Sequence, residues 1–148
     1  MSHVQLYTDG AAKGNPGPGG YGLVLLSGSH RKEYAQGFKN TTNNRMELLA
    51  VIKGLELLKK TCTVDVYSDS KYVVDVVEKK WLHNWVKKGF AGKKNVDLWK
   101  RFLEVYKLHK VKFHWVKGHN GHPLNERCDE LAVWAAENDA VRPDVGFG

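Results

Sequence analysis

Two strand-like runs in this chain end in the same way, and this repetition constrains the fold more than any other feature. The run over residues 3–9 closes with Tyr-Thr-Asp9, and the run over residues 63–69 closes with Tyr-Ser-Asp69. A small residue follows each aspartate. In open α/β sheets, parallel strands bring their carboxyl ends to one edge, where sites form. The sequence therefore predicts that Asp9 and Asp69 lie side by side at such an edge.

Two further acids fall in helix-like segments, on or beside the apolar side. At about 100° per residue, Glu47 lies in one row with Val51 and Leu58, well away from the lysine-rich stripe of its segment. Asp129 lies at the margin of the buried face of the last segment, in a row with Ala132. Charges in or beside apolar rows are unusual, so both acids are candidates for a site.

The four acids together favour a metal centre. Carboxylates gathered at a core edge repel one another and lose hydration, so a cation is needed to keep them ionised. Hard oxygen donors suit Mg²⁺ or Mn²⁺ better than zinc. Taken singly, each acid could be an ordinary exposed charge, and either Asp69 or Ser70 could cap the next helix. As a set, they predict a metal-dependent phosphoryl-transfer site.

Size and composition indicate one ordinary globular domain. The chain has 148 residues, of which 42% are hydrophobic and 26% charged, and it is long enough to bury a core. We predict a single domain over 1–148, with a core of about 3–138 and a loosely held tail over 139–148. Cys62 and Cys128 lack a Cys-x-x-Cys spacing, which favours reduced core residues of an intracellular, cytoplasmic protein. The amino-terminal residues show no signal sequence, and no apolar run is long enough to span a bilayer.

The positive charge is concentrated in one segment. The chain carries +7, and residues 79–101 alone hold eight basic residues and one acidic residue. Four aromatic residues interleave with them: Trp81, Trp85, Phe90 and Trp99. This combination is typical of a nucleic-acid-binding surface, and residues 87–94 have the composition of an exposed loop. The alternative is a solvated lysine-rich helix over a tryptophan-anchored core that includes Trp81 and Trp99.

Two loops carry candidate ligand-binding groups. Residues 14–20 are rich in glycine but lack the Gly-Lys-Ser/Thr of a phosphate-cradling loop. A tight turn that leaves Asn15 free to bind a ligand fits better. The loop over residues 117–123 places His119 shortly before Asp129, and a histidine there is a candidate proton carrier.

The order of predicted elements indicates an α/β fold. Ala11–Gly20 should form a turn-rich connection within a series of strands and helices. We predict strands at 3–9, 21–27, 31–37, 63–68 and 111–116, and helices at 43–60, from Ser70, at 81–87, 96–108 and 124–138. This order gives a mixed five-stranded sheet, its first three strands antiparallel, with helices on both faces.

These segments together resemble the type 1 ribonuclease H family across about residues 3–138. The matching motifs are Tyr-Thr-Asp9-Gly, residues 14–22, Thr41-Thr-Asn-Asn-Arg-Met-Glu47-Leu, Ser-Asp69-Ser, His83-Asn-Trp85, residues 95–99 and the stretch from Trp115 to Asp129. The resemblance implies the ribonuclease H fold. It also implies endonucleolytic cleavage of the RNA strand of RNA–DNA hybrids, leaving 5′-phosphate and 3′-hydroxyl ends. Two Mg²⁺ ions would serve as cofactors, with Mn²⁺ as a substitute.

The resemblance also implies a role for individual residues. Asp9, Glu47, Asp69 and Asp129 would hold the metals, and His119 would assist proton transfer. The substrate-binding residues would be Asn15, Asn43 and Asn44 in the minor groove, Thr42 and Asn95 at a DNA-strand phosphate, and Trp85, Lys87 and Lys88 on the DNA strand. Lys71 would be a further substrate-binding residue, although it stands where glutamine is often found. The basic protrusion is shorter than in the longest bacterial members.

Two other functions remain open at this point. A non-catalytic RNA–DNA hybrid-binding module would keep the basic surface without turnover, although it would gain nothing from four clustered carboxylates. A nuclease acting on DNA junctions or duplex DNA would lack a use for the asparagine set. We expect a monomer without an obligate protein partner or a membrane association.

Overall fold

The computed structural model describes residues 2–117 and 122–147. Its elements, in chain order, are β1 (Ser2–Ala12), β2 (Gly17–Ser27), β3 (His30–Thr41), α1 (Asn43–Glu56), β4 (Cys62–Ser68), α2 (Lys71–Glu78), α3 (Trp81–Lys87), α4 (Val96–Tyr106), β5 (Lys110–Trp115) and α5 (Pro123–Asn138). The five strands form one sheet in the order β3-β2-β1-β4-β5. β1, β2 and β3 pair antiparallel, whereas β4 is parallel to both β1 and β5. The predicted mixed five-stranded sheet is confirmed.

The glycine-rich stretch is a strand over most of its length, so the predicted turn over residues 11–20 is too long. Ala11 pairs with Gly20 and Ala12 with Gly19, which confines the connection to residues 13–16. The glycines serve helix packing here: a Cβ on Gly20 would lie 2.7 Å from the Cβ of Ala135 in α5. Close approach of α5 to β2 therefore requires a residue without a side chain.

Helices cover both faces of the sheet, as the sequence predicts. In β1, Leu6 packs in the large core cluster, and a Cβ on Gly54 of α1 would touch its side chain. The next residue, Tyr7, packs in a separate cluster with Cys128 of α5. Because successive strand residues point to opposite faces, α1 and α5 lie on opposite sides of β1.

The predictions for individual core residues are confirmed only in part. Cys62 and Cys128 are buried free thiols, as expected. Trp99 is fully buried, whereas Trp81 is 44% exposed, so the alternative of Trp81 as a core residue is wrong. Trp81 lies at the start of α3 with the ammonium of Lys79 5.3 Å from its ring centroid, at the protein surface.

The prediction of a loosely held tail over 139–148 is wrong for the residues described, 139–147. Asp144 is 7% exposed and accepts hydrogen bonds from Thr41 Oγ1 and Arg45 Nε, both at 2.7 Å. Arg142 forms a bridge with Phe38 of β3. The physical reason lies in α1, where Arg45 is 1% exposed and needs a carboxylate partner.

In the described part of the chain, no helix has the length and apolar character needed to cross a membrane.

Candidate active site

Sheet register brings Asp9 and Asp69 together. Tyr7 of β1 and Tyr67 of β4 are parallel partners, and their rings stack at 4.6 Å. Each aspartate lies two residues beyond its tyrosine, so the two strands deliver them at the same level. Of the two capping candidates considered above, Ser70 caps α2, where it accepts a hydrogen bond from the Val73 amide at 3.2 Å.

Glu47 reaches the same edge because α1 approaches β1 very closely. A Cβ on Gly10 would lie 2.5 Å from the Glu47 amide nitrogen, a contact that a larger residue could not tolerate. The Ala12 amide also donates to Asn43 Oδ1 at 2.6 Å and ties the start of α1 to β1. Gly10 is thus the small residue that makes room for the third acid.

Three carboxylates form a compact cluster at this edge. One oxygen from each of Asp9, Glu47 and Asp69 lies within 4.8 Å of the others. Asp9 is only 4% exposed. Glu47 Oε1 is buried and has no hydrogen-bond partner within residues 2–117 and 122–147. A buried oxygen without a donor is costly unless a cation or a proton compensates it.

The electrostatics of the cluster show that the carboxylates are crowded. Burial raises the pKa of Asp9 from 3.8 to about 8, helped by the charge of Asp69, while the Gly10 amide at 2.9 Å opposes the shift. Burial and the charges of Asp9 and Asp69 likewise raise the pKa of Glu47 well above its usual range. Without a cation, burial and mutual repulsion therefore oppose ionisation of Asp9 and Glu47 at neutral pH.

The predicted catalytic residues also include Asp129 and His119. Asp129 is half-buried on α5, outside the 4.8 Å group, but close enough for its charge to raise the pKa of Asp9. His119, the predicted proton carrier, lies outside the described residues.

Trp115, for which the sequence predicts no role of its own, contacts the main chain of Asp69. Trp115, at the end of β5, donates from Nε1 to the main-chain oxygen of Asp69 at 3.1 Å. Lys71 Nζ lies 4.4 Å from the centroid of the same ring. The sequence signal is the position of Trp115 at the end of a strand next to the one that carries Asp69.

Five predicted substrate-binding residues line one open cavity of about 540 Å³ beside the start of α1. Its lining comprises Asn15, Pro16, Thr42, Asn43, Asn44, Lys94, Asn95 and Phe147. The Asn43 amide donates to Asn15 Oδ1 at 3.1 Å, and Thr42 caps α1 through the Arg45 amide at 3.2 Å. Polar side chains and a helix amino terminus together suit an anionic group.

The lysines of the basic segment are exposed to solvent, whereas two of its aromatic residues are packed. Lys87, Lys88, Lys93 and Lys94 are all exposed. Phe90, within the predicted loop, is instead buried, and its amide donates to the Trp85 carbonyl at 2.7 Å. Trp85 is half-buried and packs edge-on against Trp99 at 5.9 Å, while Lys93 Nζ lies 4.9 Å from its ring centroid.

Comparison with known proteins identifies the family. The family model described as RNase H matches residues 1–137. The chain belongs to the ribonuclease H family. The ribonuclease H of Desulforamulus reducens is 55% identical over 150 residues, which cover 98% of this chain and 94% of the relative. The prediction of a ribonuclease H enzyme is confirmed.

Two solved ribonucleases H share the fold. LC9-RNase H1, a type 1 RNase H with the type 2 active-site motif, is 30% identical with a TM-score of 0.84, covering 94% of this chain and 74% of that one. LC11-RNase H1 in complex with an RNA/DNA hybrid is 26% identical with a TM-score of 0.66, covering 90% of this chain and 96% of that one.

Proposed function

We propose that this ribonuclease H is an endonuclease that cleaves the RNA strand of RNA–DNA hybrids with two divalent cations, leaving 5′-phosphate and 3′-hydroxyl ends. The observation that carries the proposal is the cluster of Asp9, Glu47 and Asp69 oxygens within 4.8 Å of one another. The cluster lies just beyond Tyr7–Tyr67, where the parallel pairing of β1 with β4 stops and β4 ends, although β1 itself continues to Ala12. The carboxyl edge of a parallel pair is the usual place for sites in such sheets.

The residues present fit Mg²⁺, with Mn²⁺ as a substitute. All three clustered groups offer hard carboxylate oxygens. Burial and the neighbouring carboxylates raise the pKa of both Asp9 and Glu47, so a bound cation would stabilise their ionised forms. The buried Glu47 Oε1 would gain the partner that the described residues do not provide. We propose Asp129 as a fourth ligand, because its charge already acts on Asp9.

Each group then has a distinct task in the reaction. Two bound divalent ions would supply Lewis acidity for an in-line attack of water on the phosphodiester and for departure of the 3′-oxygen. Trp115 holds the main chain of Asp69 in place through its indole N–H. We propose that His119 carries a proton on the leaving-group side.

Substrate recognition is proposed to involve two separate surfaces. Asn15, Asn43 and Asn44 would read the minor groove, where the 2′-hydroxyl distinguishes RNA from DNA, and Thr42 and Asn95 would bind a DNA-strand phosphate. Trp85, Lys87 and Lys88 would bind the DNA strand, and the two lysines would do so electrostatically. Support comes from the shared cavity of the first set and from the exposure of the lysines.

The alternative of a non-catalytic hybrid-binding module is less well supported. A binder would gain nothing from Asp9 and Glu47, whose pKa values show that their burial opposes ionisation. Because one chain supplies all three clustered acids, we propose that the enzyme acts as a monomer without an obligate protein partner. The two buried free thiols fit a reducing compartment, so we propose the cytoplasm.

Product chemistry tests the proposed reaction. With a hybrid whose RNA carries a 5′ label, we expect internally cleaved RNA fragments with 3′-hydroxyl ends that a polymerase extends. The downstream fragments should bear 5′-phosphates that a ligase joins directly. Products ending in 3′-phosphate or 2′,3′-cyclic phosphate would contradict the proposal, because both require departure of the 5′-oxygen in place of the 3′-oxygen.

Lys71 gives this enzyme a cation where related enzymes often have glutamine. If its ammonium contacts an RNA-strand phosphate, Lys71→Gln should weaken hybrid binding and lower the salt slope of log affinity by about 1. The hydrogen bond from Trp115 to Asp69 does not involve Lys71, so kcat should stay near wild type. The measurement is hybrid affinity over a range of salt concentrations. An unchanged slope would mean that Lys71 stays on the Trp115 ring in the complex.

A further inference from the structure

The carboxyl-terminal segment, residues 142–147, packs against the elements that form the cavity beside α1. Its main chain joins β3, where the Lys39 amide donates to the Arg142 carbonyl at 2.8 Å. Beyond that bridge, Asp144 is buried and Phe147 lines the cavity itself. The segment is therefore in direct contact with the proposed substrate-binding surface.

Asp144 anchors a buried guanidinium whose hydrogen bonds lead to the cavity. Arg45 donates from Nε to Asp144 at 2.7 Å and from both terminal nitrogens to Asp97, at 2.9 and 2.7 Å. Arg45 Nη1 also donates to Asn95 Oδ1 at 3.4 Å. With two carboxylates bound, Arg45 is fully engaged inside the protein and does not itself bind a substrate anion.

The same contacts fix the orientation of Asn95. Its Oδ1 accepts from Arg45, while its Nδ2 donates to the Tyr72 hydroxyl at 3.2 Å. An amide nitrogen carries two hydrogens, so one remains available towards the cavity that Asn95 lines. Asn95 also has a left-handed backbone, with φ of 60°, directly before α4. Its placement therefore depends on side-chain partners.

Phe147 closes one side of this arrangement. Its ring centroid lies 5.5 Å from the Arg45 guanidinium carbon, and its amide donates to the Asp144 carbonyl at 3.1 Å. Gly146, with φ of 93°, permits the turn between them, because a Cβ there would lie 2.2 Å from Asp97 Oδ2. The segment thus follows the Arg45–Asp97 pair closely and ends with an aromatic wall on the cavity.

We propose that the carboxyl-terminal segment positions the phosphate-binding cavity for substrate capture, with Asp144 holding Arg45 and thereby Asn95, and with Phe147 forming a wall. This inference rests on the proposed function, because it assigns a DNA-strand phosphate to the cavity. Asp144 and Phe147 are positioning residues: Asp144 binds Thr41 and Arg45, and Phe147 lies against Arg45 and lines the cavity. They contribute to binding of the hybrid, whereas the clustered acids are responsible for the chemical step.

The test compares Asp144→Asn and Phe147→Ala with Val145→Ala, whose side chain is 82% exposed in the same segment. The substrates are a natural hybrid and a series in which one DNA-strand linkage at a time is a neutral methylphosphonate. For wild type, KM should be about fivefold or more higher than on the natural hybrid when the neutral linkage is the one that occupies the cavity. The reason is the loss of a charged hydrogen-bonding partner. Val145→Ala should behave like wild type.

For Asp144→Asn and Phe147→Ala, KM on the natural hybrid should rise by a similar factor, kcat should change less than twofold, and the neutral linkage should add little further loss. A purely structural role would instead lower thermal stability and active fraction while keeping the wild-type sensitivity to that linkage. Phe147→Tyr, which keeps the ring, should restore the wild-type KM.

Several results would overturn the inference. Folded variants that remain as sensitive to the neutral linkage as wild type would do so, as would a wild type that is insensitive to every linkage. If Asp144→Asn does not fold, Phe147→Ala decides alone, since it leaves the Arg45 ion pairs in place. Failure of the proposed function is a separate outcome, in which wild type does not cleave the natural hybrid.

Discussion

Replacing Asp9 with asparagine should abolish Mg²⁺-dependent cleavage and raise the stability of the metal-free protein. The loss should reach about 10³-fold or more, since even partners outside the first ligand shell cost 10–100-fold. Stability should rise because burial and Asp69 hold the pKa of Asp9 near 8, against an ordinary 3.8. Relieving even one pKa unit is worth about 1.4 kcal/mol, or about 3–6 °C in Tm for a chain of this size.

The stability gain should depend on pH with a definite sign. Between about 4 and about 8 the folded protein keeps a proton on Asp9 that the unfolded chain releases. The free energy of unfolding of the metal-free wild type therefore falls as pH rises through this window. Asp9→Asn should flatten that fall, and Mg²⁺ should raise Tm in wild type much more than in the variant.

A matched control is Asp75→Asn on α2. Asp75 is half-buried, pairs with Lys79 at 3.6 Å and is not a member of the carboxylate cluster. Its neutralisation should therefore change neither activity nor the pH dependence of Tm appreciably. Near-normal turnover by Asp9→Asn would remove Asp9 from the metal site. An equal rise in the Tm of wild type and Asp9→Asn on addition of Mg²⁺ would do the same.

Changing Lys87, Lys88, Lys93 and Lys94 to alanine should weaken capture of the hybrid while leaving the maximal rate nearly unchanged. All four side chains are exposed, so the fold should tolerate their loss. If each neutralises one phosphate, the slope of log affinity against log salt should fall by about 3–4. KM at physiological salt should rise on the order of tenfold. Such binding is shared by ground and transition states and acts mainly on KM.

The control for this variant removes the same charge elsewhere. Lys32, Lys59, Lys60 and Lys110 are also exposed and lie outside the basic segment. Their replacement by alanine should leave the salt slope nearly unchanged, apart from the weaker long-range effect of net charge. Equal slopes for wild type and the basic-segment variant would mean that this segment is only a solvated surface. Trp85 is less informative, because it packs on Trp99 and its loss would disturb the fold.

The sequence predicts the meeting of Asp9, Glu47 and Asp69 because local periodicity and strand pairing carry most of the information. Two runs ending in aspartate require only a parallel register to meet, and the structure provides it between Tyr7 and Tyr67. Glu47 could be found as a charge in an apolar row. The close approach of Glu47 to β1 depends on the absence of a side chain at Gly10, which periodicity alone does not reveal.

The contacts made by the last residues could not be predicted in the same way. Asp144 reads as a polar residue in a proline- and glycine-containing tail, and its partner Arg45 lies 99 positions away. No local pattern links them, because the contact exists only once β3, α1 and α4 have assembled. The glycine run in β2 misleads for a related reason: its glycines accommodate α5, which begins about a hundred residues later.

The most direct test of the central claim is cleavage of three duplexes of one sequence, RNA–DNA, RNA–RNA and DNA–DNA, with and without Mg²⁺, by wild type and Asp9→Asn. The claim is that the cluster of Asp9, Glu47 and Asp69 drives metal-dependent hydrolysis of RNA in hybrids. We expect wild type to cut only the RNA of the RNA–DNA duplex, only with Mg²⁺, and the variant to bind that duplex without cutting it. Cleavage without a divalent cation, equal cleavage of DNA–DNA, or binding of the hybrid without any turnover by wild type would contradict the claim.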